Sequence, residues 1–220
     1  MLACCVDGQW ENRIQDCECV EIINAMKKVK NSGLEKAVEN YRFDNFFTDS
    51  QWQEKLKKAA EAFAANPEGW FFVGGQSGAG KTHVCTAICA SLLRRGQDVI
   101  YCQWRPESVK LKGCINESDE YCNLIAKYKK ARVLYIDDLF KGANTKGPTT
   151  ADIGILFEIL NHRYLNDMTT IISSEYLITE IIEFDEAVGS RIAEKSRDYL
   201  ISISKSREKN YRLKKLNEII

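Results

Sequence analysis

One glycine-rich segment constrains the fold of this chain more than any other feature. The segment reads GGQSGAGKTH, and residues 75–82 fit the pattern G-x-x-x-x-G-K-[ST] without departure. The apolar run WFFVGG precedes it, and a helical pattern from Lys81 to Arg95 follows it and ends at Gly96. Such a segment is typical of a phosphate-binding loop between a strand and a helix, whereas a chance glycine-rich turn would lack those flanks.

The residue types in this segment suit the phosphates of a nucleoside triphosphate. Glycines let the backbone curl so that several N–H groups face phosphate oxygens, and the next helix adds the positive end of its dipole. Lys81 brings a positive charge to the β- and γ-phosphates, and the Thr82 hydroxyl can ligate Mg²⁺. The predicted nucleotide-binding residues are Gly75, Gln76, Ser77, Gly78, Ala79, Gly80, Lys81, Thr82 and His83.

Short apolar runs alternate with helical patterns along the rest of the chain. The strand-like runs are WFFVGG, DVIYCQW, RVLYID, TTIISS and YLISI, and TTADIGILFEILNHRYLND is a strongly amphipathic helical pattern. Short apolar strands separated by helices indicate a mostly parallel sheet that is covered on both faces. We therefore predict the α/β class, with an ATPase domain over residues 46–220 and a small separate segment over residues 1–45. Thr48 or Asp49 is the expected N-cap of the first long helix of the domain.

Composition excludes several classes of function. Lys and Arg together number 31, as do Asp and Glu, so no overall field attracts a polyanion, and any nucleic-acid contact must use a local patch or an assembly. No apolar run approaches the roughly 18 residues of a membrane span, and MLACCVDGQW lacks a signal-peptide pattern. These features predict a cytoplasmic protein with no membrane contact. Cysteines stay reduced there, so five of them are expected to be small buried hydrophobes, namely Cys85, Cys89, Cys102, Cys114 and Cys122.

Two adjacent carboxylates follow the apolar strand pattern in LYIDDLF. Alone, Asp137 and Asp138 would indicate only a strand end that enters solvent, but the phosphate-binding loop gives them a partner. Mg²⁺ on a nucleotide needs a carboxylate at the carboxyl end of the same sheet, which predicts Asp137 as a metal-site residue together with Thr82. Asp138 is then the expected general base for the attacking water. A second acid favours a hydrolysing ATPase over a small-molecule kinase, and no N-K-x-D pattern indicates a GTPase.

Two further patterns are typical of an ATP-driven motor. Ser173 and Ser174 end the TTIISS strand, where a sensor of the γ-phosphate would lie, although serines also commonly end strands. Arg191 stands in the acidic pattern TEIIEFDEAVGSRIAEKS, which is expected to be helical. This arginine is expected either to stabilise transition-state charge in a neighbouring subunit or to pair with Glu194 or Asp185 in its own helix.

Together these motifs resemble the AAA+ helicase loaders of the DnaC/DnaI type, including their phage and prophage versions. The resemblance rests on CEC, NSGL, YRFDNF, GGQSGAGKTH, VLYIDDLFKG, LFEILNHRY, TTIISSE, VGSRI and KNYR, in this order. The ATPase core also resembles the IstB-type helper ATPases of transposition. The loader resemblance implies ATP and Mg²⁺ as cofactors and a five-stranded parallel sheet of order 5-1-4-3-2 without a separate C-terminal lid domain. It also implies assembly on a hexameric replicative helicase of the DnaB type and contact with single-stranded DNA.

The resemblance also implies roles for individual residues. Those roles are Walker A for residues 75–82, Walker B for Asp137 and Asp138, sensor 1 for Ser173 or Ser174, an arginine finger for self-association at Arg191, and sensor 2 for Arg212. Many AAA+ proteins have glutamate as the second Walker B acid and asparagine at sensor 1. The aspartate at position 138 and the Ser-Ser-Glu175 strand end therefore predict slow hydrolysis, as suits a switch.

Loaders of this type often carry an N-terminal zinc module of the form CxxC…CxC, which implies a helicase-docking role for the first segment. Cys17 and Cys19 match the second half of that pattern, whereas Cys4 and Cys5 are adjacent. Neighbouring side chains rarely converge on one tetrahedral Zn²⁺. Two alternatives stay open: Zn²⁺ held by Cys5, Cys17 and Cys19 with Cys4 as a further ligand candidate, or free surface thiols.

Other functions compete with the ATP-hydrolysing loader. They are a transposition helper, a nucleotide-gated binding protein with negligible turnover and, least favoured because no substrate lid is recognisable, a small-molecule kinase. The basic tail KSREKNYRLKKLNEII is expected to be a solvated helical end, with contact to a nucleic-acid backbone as the alternative.

Overall fold

The computed structural model describes residues 30–142 and 147–213, the side chain of Arg207 excepted. It also describes the backbone of two short strands, β1 (Leu2–Val6) and β2 (Gln9–Arg13), which pair antiparallel. Within the N-terminal segment predicted over residues 1–45, residues 1, 7–8 and 14–29 lie outside the described residues, and its boundary stays a prediction.

A five-stranded parallel sheet forms the centre of the domain. Its strands are β3 (Trp70–Gly75), β4 (Val99–Gln103), β5 (Val133–Leu139), β6 (Thr170–Ser174) and β7 (Leu200–Ile203). They lie in the order β7-β3-β6-β5-β4, which is 5-1-4-3-2 when these strands are counted along the chain. The predicted α/β class and strand order are both confirmed.

Helices cover both faces of this sheet. They are α1 (Glu35–Asn40), α2 (Gln51–Ala65), α3 (Lys81–Arg94), α4 (Trp104–Gly113), α5 (Ser118–Lys130), α6 (Thr150–Leu165), α7 (Ile178–Phe184) and α8 (Glu186–Lys195). None of the described helices is long and apolar enough to cross a membrane.

Alternate residues of β3 enter two hydrophobic cores, one on each face of the sheet. Phe71 and Val73 pack with residues of α2 and α3, and Trp70 and Phe72 pack with residues of α4 to α8. Burial on both faces explains why the strands read as continuous apolar runs.

Two helix boundaries differ from the expectation. Helix α2 begins at Gln51, so neither Thr48 nor Asp49 is its N-cap. The acidic helical pattern near the C-terminus forms two helices, α7 and α8, instead of one. Its break lies at Asp185, whose backbone is extended and whose carboxylate accepts the Val188 N–H at 2.8 Å. Aspartate favours this N-cap geometry because its side chain satisfies a free N–H of the new helix.

The cysteines on the described helices and strands behave as expected with one exception. Cys122 is exposed on α5, so the expectation of burial is wrong for this residue, and the other four are buried. Burial raises the pKa values of the Cys85 and Cys89 thiols well above their ordinary range, and the charge of Asp137 adds to the effect. These two thiols are therefore neutral packing groups of the core.

A buried arginine ties the helical layer to the sheet. Arg163 on α6 is fully buried. Its Nη1 donates to the carbonyl oxygens of Tyr128 at 3.0 Å and Ala131 at 2.8 Å, and its Nε donates to the Thr170 hydroxyl at 2.9 Å. Burial lowers the pKa of Arg163 to about 9. The guanidinium thereby holds the end of α5 and the starts of β5 and β6 together.

Candidate nucleotide-binding site

The phosphate-binding loop leaves the carboxyl end of β3 at the centre of the sheet. Gly75 has a φ of +115°, and a Cβ atom there would lie 2.0 Å from the carbonyl oxygen of Ile203 on β7. Gly80, at the start of α3, has a φ of +84°. Both positions require glycine, because side chains rarely adopt these angles and the first position has no space for one. The close packing on β7 thus fixes the course of the loop.

Lys81 lies within the loop. Its side chain is buried, and Nζ donates to the carbonyl oxygens of Gly75 at 2.9 Å and Gln76 at 2.8 Å. Burial lowers the pKa of Lys81, against the attraction of Glu175 and Asp138. The ammonium group therefore lies among groups that a phosphate can replace as its hydrogen-bond partner.

Asp137 is the centre of a hydroxyl cluster at the end of β5. It is 4% exposed. Its Oδ1 accepts hydrogen bonds from Thr82 at 3.1 Å, Tyr135 at 2.7 Å and Ser173 at 2.6 Å, and its Oδ2 accepts one from Tyr101 at 3.0 Å. The two tyrosines were not predicted as site residues. Together the hydroxyl donors hold a buried carboxylate in one orientation.

This cluster fits a Mg²⁺ ion bound to nucleotide phosphates. Because Thr82 gives its hydroxyl hydrogen to Asp137, the lone pairs of its oxygen are left for a metal. Mg²⁺ typically uses one or two protein oxygen ligands, with waters and phosphates completing the shell. Accordingly, no group of three or more His, Cys, Asp or Glu side chains placed to hold a metal occurs in the part of the chain that is described.

Asp138 adopts an unusual backbone conformation that turns it away from the strand. Its φ is +53°, and the register between β5 and β6 slips between Ile136 and Leu139. Its N–H donates to the Ser173 hydroxyl at 3.0 Å. Among charged residues, aspartate tolerates this left-handed conformation comparatively well. The slip lets Asp137 stay buried while the side chain of Asp138 lines a cavity.

The predicted sensor serines do not line this cavity. Ser173 and Ser174 are fully buried; Ser173 joins Asp137 to the backbone of Asp138, and Ser174 donates to the carbonyl oxygen of Leu139 at 2.8 Å. The structure instead places the next residue of the strand end, Glu175, in the cavity wall. Ser173 thus positions the acidic pair, whereas Ser174 contacts the backbone that follows it; the role of these serines as sensors of a γ-phosphate stays a prediction.

The cavity has a volume of about 300 Å³ and joins the loop to an aromatic pocket. The aromatic pocket is formed by the segment after α1 (residues 41–47) and by the C-terminal segment after β7 (residues 204–213). Phe47 of the first segment stacks on Tyr211 of the second, with ring centroids 5.3 Å apart. His83 supports this wall, because its Nε2 lies 2.9 Å from the carbonyl oxygen of Arg42. Gln53 lines the same pocket with a buried Oε1 that has no hydrogen-bond partner. Flat apolar rings beside one free amide oxygen suit a nucleobase.

The C-terminal segment lies over the phosphate-binding loop. The Tyr211 N–H donates to the carbonyl oxygen of Gly78 at 3.0 Å, and the Ser206 N–H donates to Oε1 of Gln76 at 3.2 Å. Arg212 lines the cavity beside Tyr211, so the predicted sensor 2 residue is brought to the candidate site. The segment occupies the open side of the loop.

Arg191 lies elsewhere on α8 and is absent from the cavity lining. Its guanidinium lies over the rings of Phe157 and Tyr164, 5.0 Å and 5.4 Å from their centroids. The two acids considered as partners within its helix have other contacts, because Glu194 accepts from the Tyr164 hydroxyl and Asp185 caps α8. Arg191 does not line the cavity of its own chain, which fits the predicted role of an arginine finger in the ATP site of another subunit. That role stays a prediction.

The zinc prediction falls mostly outside the described residues. Cys4 and Cys5 belong to β1, and Cys17 and Cys19 lie beyond the described ranges. Zinc binding therefore stays a prediction, which metal analysis of the purified protein tests directly.

The chain is similar to several known proteins. Residues 11–192 match the protein family described as "IstB-like ATP binding protein". The uncharacterized protein YqaM of Bacillus subtilis (strain 168) is 33% identical over 223 residues, covering 94% of this chain and 69% of YqaM. The phage-like element PBSX protein XkdC of the same organism is 39% identical over 146 residues, covering 63% of this chain and 52% of XkdC. The present chain thus spans about half of XkdC.

The fold also matches a solved structure. The crystal structure of the DnaC helicase loader aligns with a TM-score of 0.62 over 78% of this chain and 99% of that chain, at 19% identity. At this identity the likeness shows a shared fold.

Proposed function

Because this chain belongs to the family of IstB-like ATP-binding proteins, we propose that it hydrolyses ATP and loads a hexameric replicative helicase onto single-stranded DNA. The enzymatic part of this proposal rests on the different surroundings of the two adjacent acids, Asp137 and Asp138. Asp137 is buried among hydroxyl groups beside Thr82, and Asp138 faces the cavity. A metal-site carboxylate next to an acid that faces the cavity suits hydrolysis of a nucleotide, because one acid serves the metal site and the other can accept a proton from water.

In this mechanism the loop N–H groups and Lys81 bind the phosphates, and the aromatic pocket binds the base. Thr82, oriented by Asp137, would hold Mg²⁺, which when bound neutralises phosphate charge. Asp138 accepts a proton from water while the water oxygen forms a bond to the γ-phosphorus and the bond from that phosphorus to the leaving ADP oxygen breaks. Ser173 keeps Asp138 in place through its hydrogen bond to the Asp138 N–H.

Two observations support the loader role. The domain shares its fold with the DnaC helicase loader, and XkdC, a relative at 39% identity, belongs to a phage-like element. The position of Arg191 outside its own cavity supports subunits that complete one another's ATP sites. The IstB-like family match favours a transposition helper as the second candidate.

The proposal is tested by phosphate release with and without single-stranded DNA, and by native mass spectrometry with a replicative helicase hexamer. We expect slow hydrolysis that DNA or assembly accelerates, and a complex with the hexamer that forms with ATP and is lost with ADP. Background hydrolysis under every condition would overturn the enzymatic part. Hydrolysis without any complex would favour the transposition helper.

We expect Gln53→Leu to reduce the preference for ATP over GTP about three- to tenfold, the value of one net hydrogen bond. Adenine carries an amino group that can donate to the free Oε1 of Gln53, whereas guanine presents an acceptor at the equivalent position. Equilibrium binding of both nucleotides measures the effect. Gln51→Leu is the matched control, because Gln51 is exposed on the same helix. An unchanged ATP/GTP ratio in Gln53→Leu would exclude this contact.

A further inference from the structure

A lysine joins two carboxylates on one wall of the cavity. Nζ of Lys141 lies 2.9 Å from Oδ2 of Asp138 and 3.1 Å from Oε1 of Glu175. Burial favours a higher pKa for Glu175, but Lys141 and Ser77 of the phosphate-binding loop lower that pKa below its ordinary value. All four residues line the same cavity as Lys81. The proposed general base is therefore held in an ion-pair network that reaches the loop.

The charges of this network respond to a triphosphate. Burial opposes the effect, but hydrogen bonds to Asp138 and Glu175 raise the pKa of Lys141, which is therefore a cation at neutral pH. The cavity lining thus holds four basic side chains, those of Lys81, Lys141, Lys209 and Arg212, with the carboxylates of Asp138 and Glu175. A γ-phosphate adds negative charge beside Asp138 and Glu175, which repel it unless a cation lies between. Lys141, which is already paired with both carboxylates, can supply that cation.

The expected interaction strengths favour a change of partner, in which the Lys141 ammonium leaves the carboxylates and binds a phosphate. The Lys141 side chain is 45% exposed, and ion pairs of exposed lysines change an equilibrium by about fivefold at most. A charge-assisted hydrogen bond to phosphate in a partly enclosed site is worth about tenfold or more. The flexible lysine stem lets the ammonium change partners without backbone movement.

We infer that Lys141 is a γ-phosphate contact that distinguishes ATP from ADP and releases Asp138 when ATP is bound. This inference rests on the proposed ATPase function. With ADP, Lys141 stays paired with Asp138 and Glu175; with ATP it turns to the γ-phosphate, and the Asp138 carboxylate is free to accept a proton from water. Hydrolysis removes the γ-phosphate and restores the pair. Sensing thus comes from a residue three positions after the base, whereas Ser173 positions that base through its backbone N–H.

The experiment compares wild type with Lys141→Met by calorimetric titration of ADP and of the non-hydrolysable β,γ-imido analogue of ATP, both with Mg²⁺. The analogue keeps the γ-phosphate without turnover, so binding is measured separately from catalysis. We expect Lys141→Met to lower the affinity for the analogue about tenfold and to leave the ADP affinity unchanged. Lys141→Arg, which keeps the charge, is expected to retain most of the preference, whereas Glu175→Gln, which removes a competing carboxylate, is expected to tighten binding of the analogue.

Lys129→Met is the matched control. Lys129 pairs with Glu158 at 3.1 Å, the distance of the Lys141–Glu175 pair, and does not line the cavity. An unchanged preference in Lys141→Met, or equal losses for both nucleotides, would overturn the inference. If wild type binds neither nucleotide, the proposed function fails instead. The two failures are therefore distinguishable.

Discussion

Replacing Asp138 with asparagine is expected to lower the rate of ATP hydrolysis by about 10²- to 10⁴-fold, the usual contribution of a general base. ATP affinity should remain close to that of wild type or rise slightly, because the substitution removes a negative charge from the phosphate cavity. Asparagine also tolerates the φ of +53° at this position, so the bulge in β5 and the hydrogen bond to Ser173 are retained. Phosphate release under single-turnover conditions and equilibrium ATP binding separate the two effects.

Asp167→Asn provides the control for this variant. Asp167 has a φ of +49° and pairs with a lysine, Lys195, but it does not line the cavity. Its substitution should therefore leave hydrolysis unchanged. If Asp138→Asn retains wild-type turnover, another group activates the water. Glu175, in the same cavity, would then be the residue to substitute next.

The largest effect on stability is expected from Arg163→Ala, at about 3–5 kcal/mol in the free energy of unfolding. Removal of the guanidinium leaves the carbonyl oxygens of Tyr128 and Ala131 buried without their donor, and each such group costs roughly 1–3 kcal/mol. The substitution also leaves a cavity between α6 and the sheet. Urea unfolding at constant pH measures the loss as a lower transition midpoint.

Two comparisons identify the cause of this loss. Arg163→Met fills most of the volume but donates no hydrogen bonds, so it should be nearly as destabilising. Arg95→Ala is the control, because Arg95 is an exposed arginine that donates to the carbonyl oxygens of Ala65 at 3.0 Å and Ser91 at 3.5 Å. The Arg95→Ala substitution should lower the free energy of unfolding by less than about 1 kcal/mol, as most surface substitutions do. Wild-type stability of Arg163→Ala would show that water replaces the guanidinium.

The phosphate-binding loop and the parallel strands follow from local signals, whereas the strand order was implied only by the loader resemblance. A glycine pattern between a strand and a helix needs only short-range information, and both-face burial makes each parallel strand a continuous apolar run. Asp137 and Asp138 were predicted as site residues because, once a phosphate-binding loop is present, acids at the end of a strand are expected to serve the Mg²⁺ site and the attacking water. These features depend on residues adjacent in sequence or on a general rule of sheet topology.

Residues whose roles depend on neighbours across the sheet were not predicted. Tyr101 and Tyr135 appear in the sequence as ordinary apolar strand residues, yet their hydroxyls reach Asp137. No local sequence pattern reports the register slip between β5 and β6, the burial of Ser173 and Ser174, or the position of Glu175 in the cavity wall. Lys141 offered one available signal, since it stands three residues after Asp138. Its partner Glu175 is on another strand end, which only the fold brings near.

The hydrogen bonds between the C-terminal segment and the phosphate-binding loop couple these two parts of the molecule thermodynamically. Tyr211 and Ser206 contact the loop through their backbone N–H groups, so a molecule that reorients this segment must also alter nucleotide affinity. By linkage, the nucleotide changes the affinity for that molecule by the same factor. A partner that binds this segment therefore responds to nucleotide binding without contacting the nucleotide.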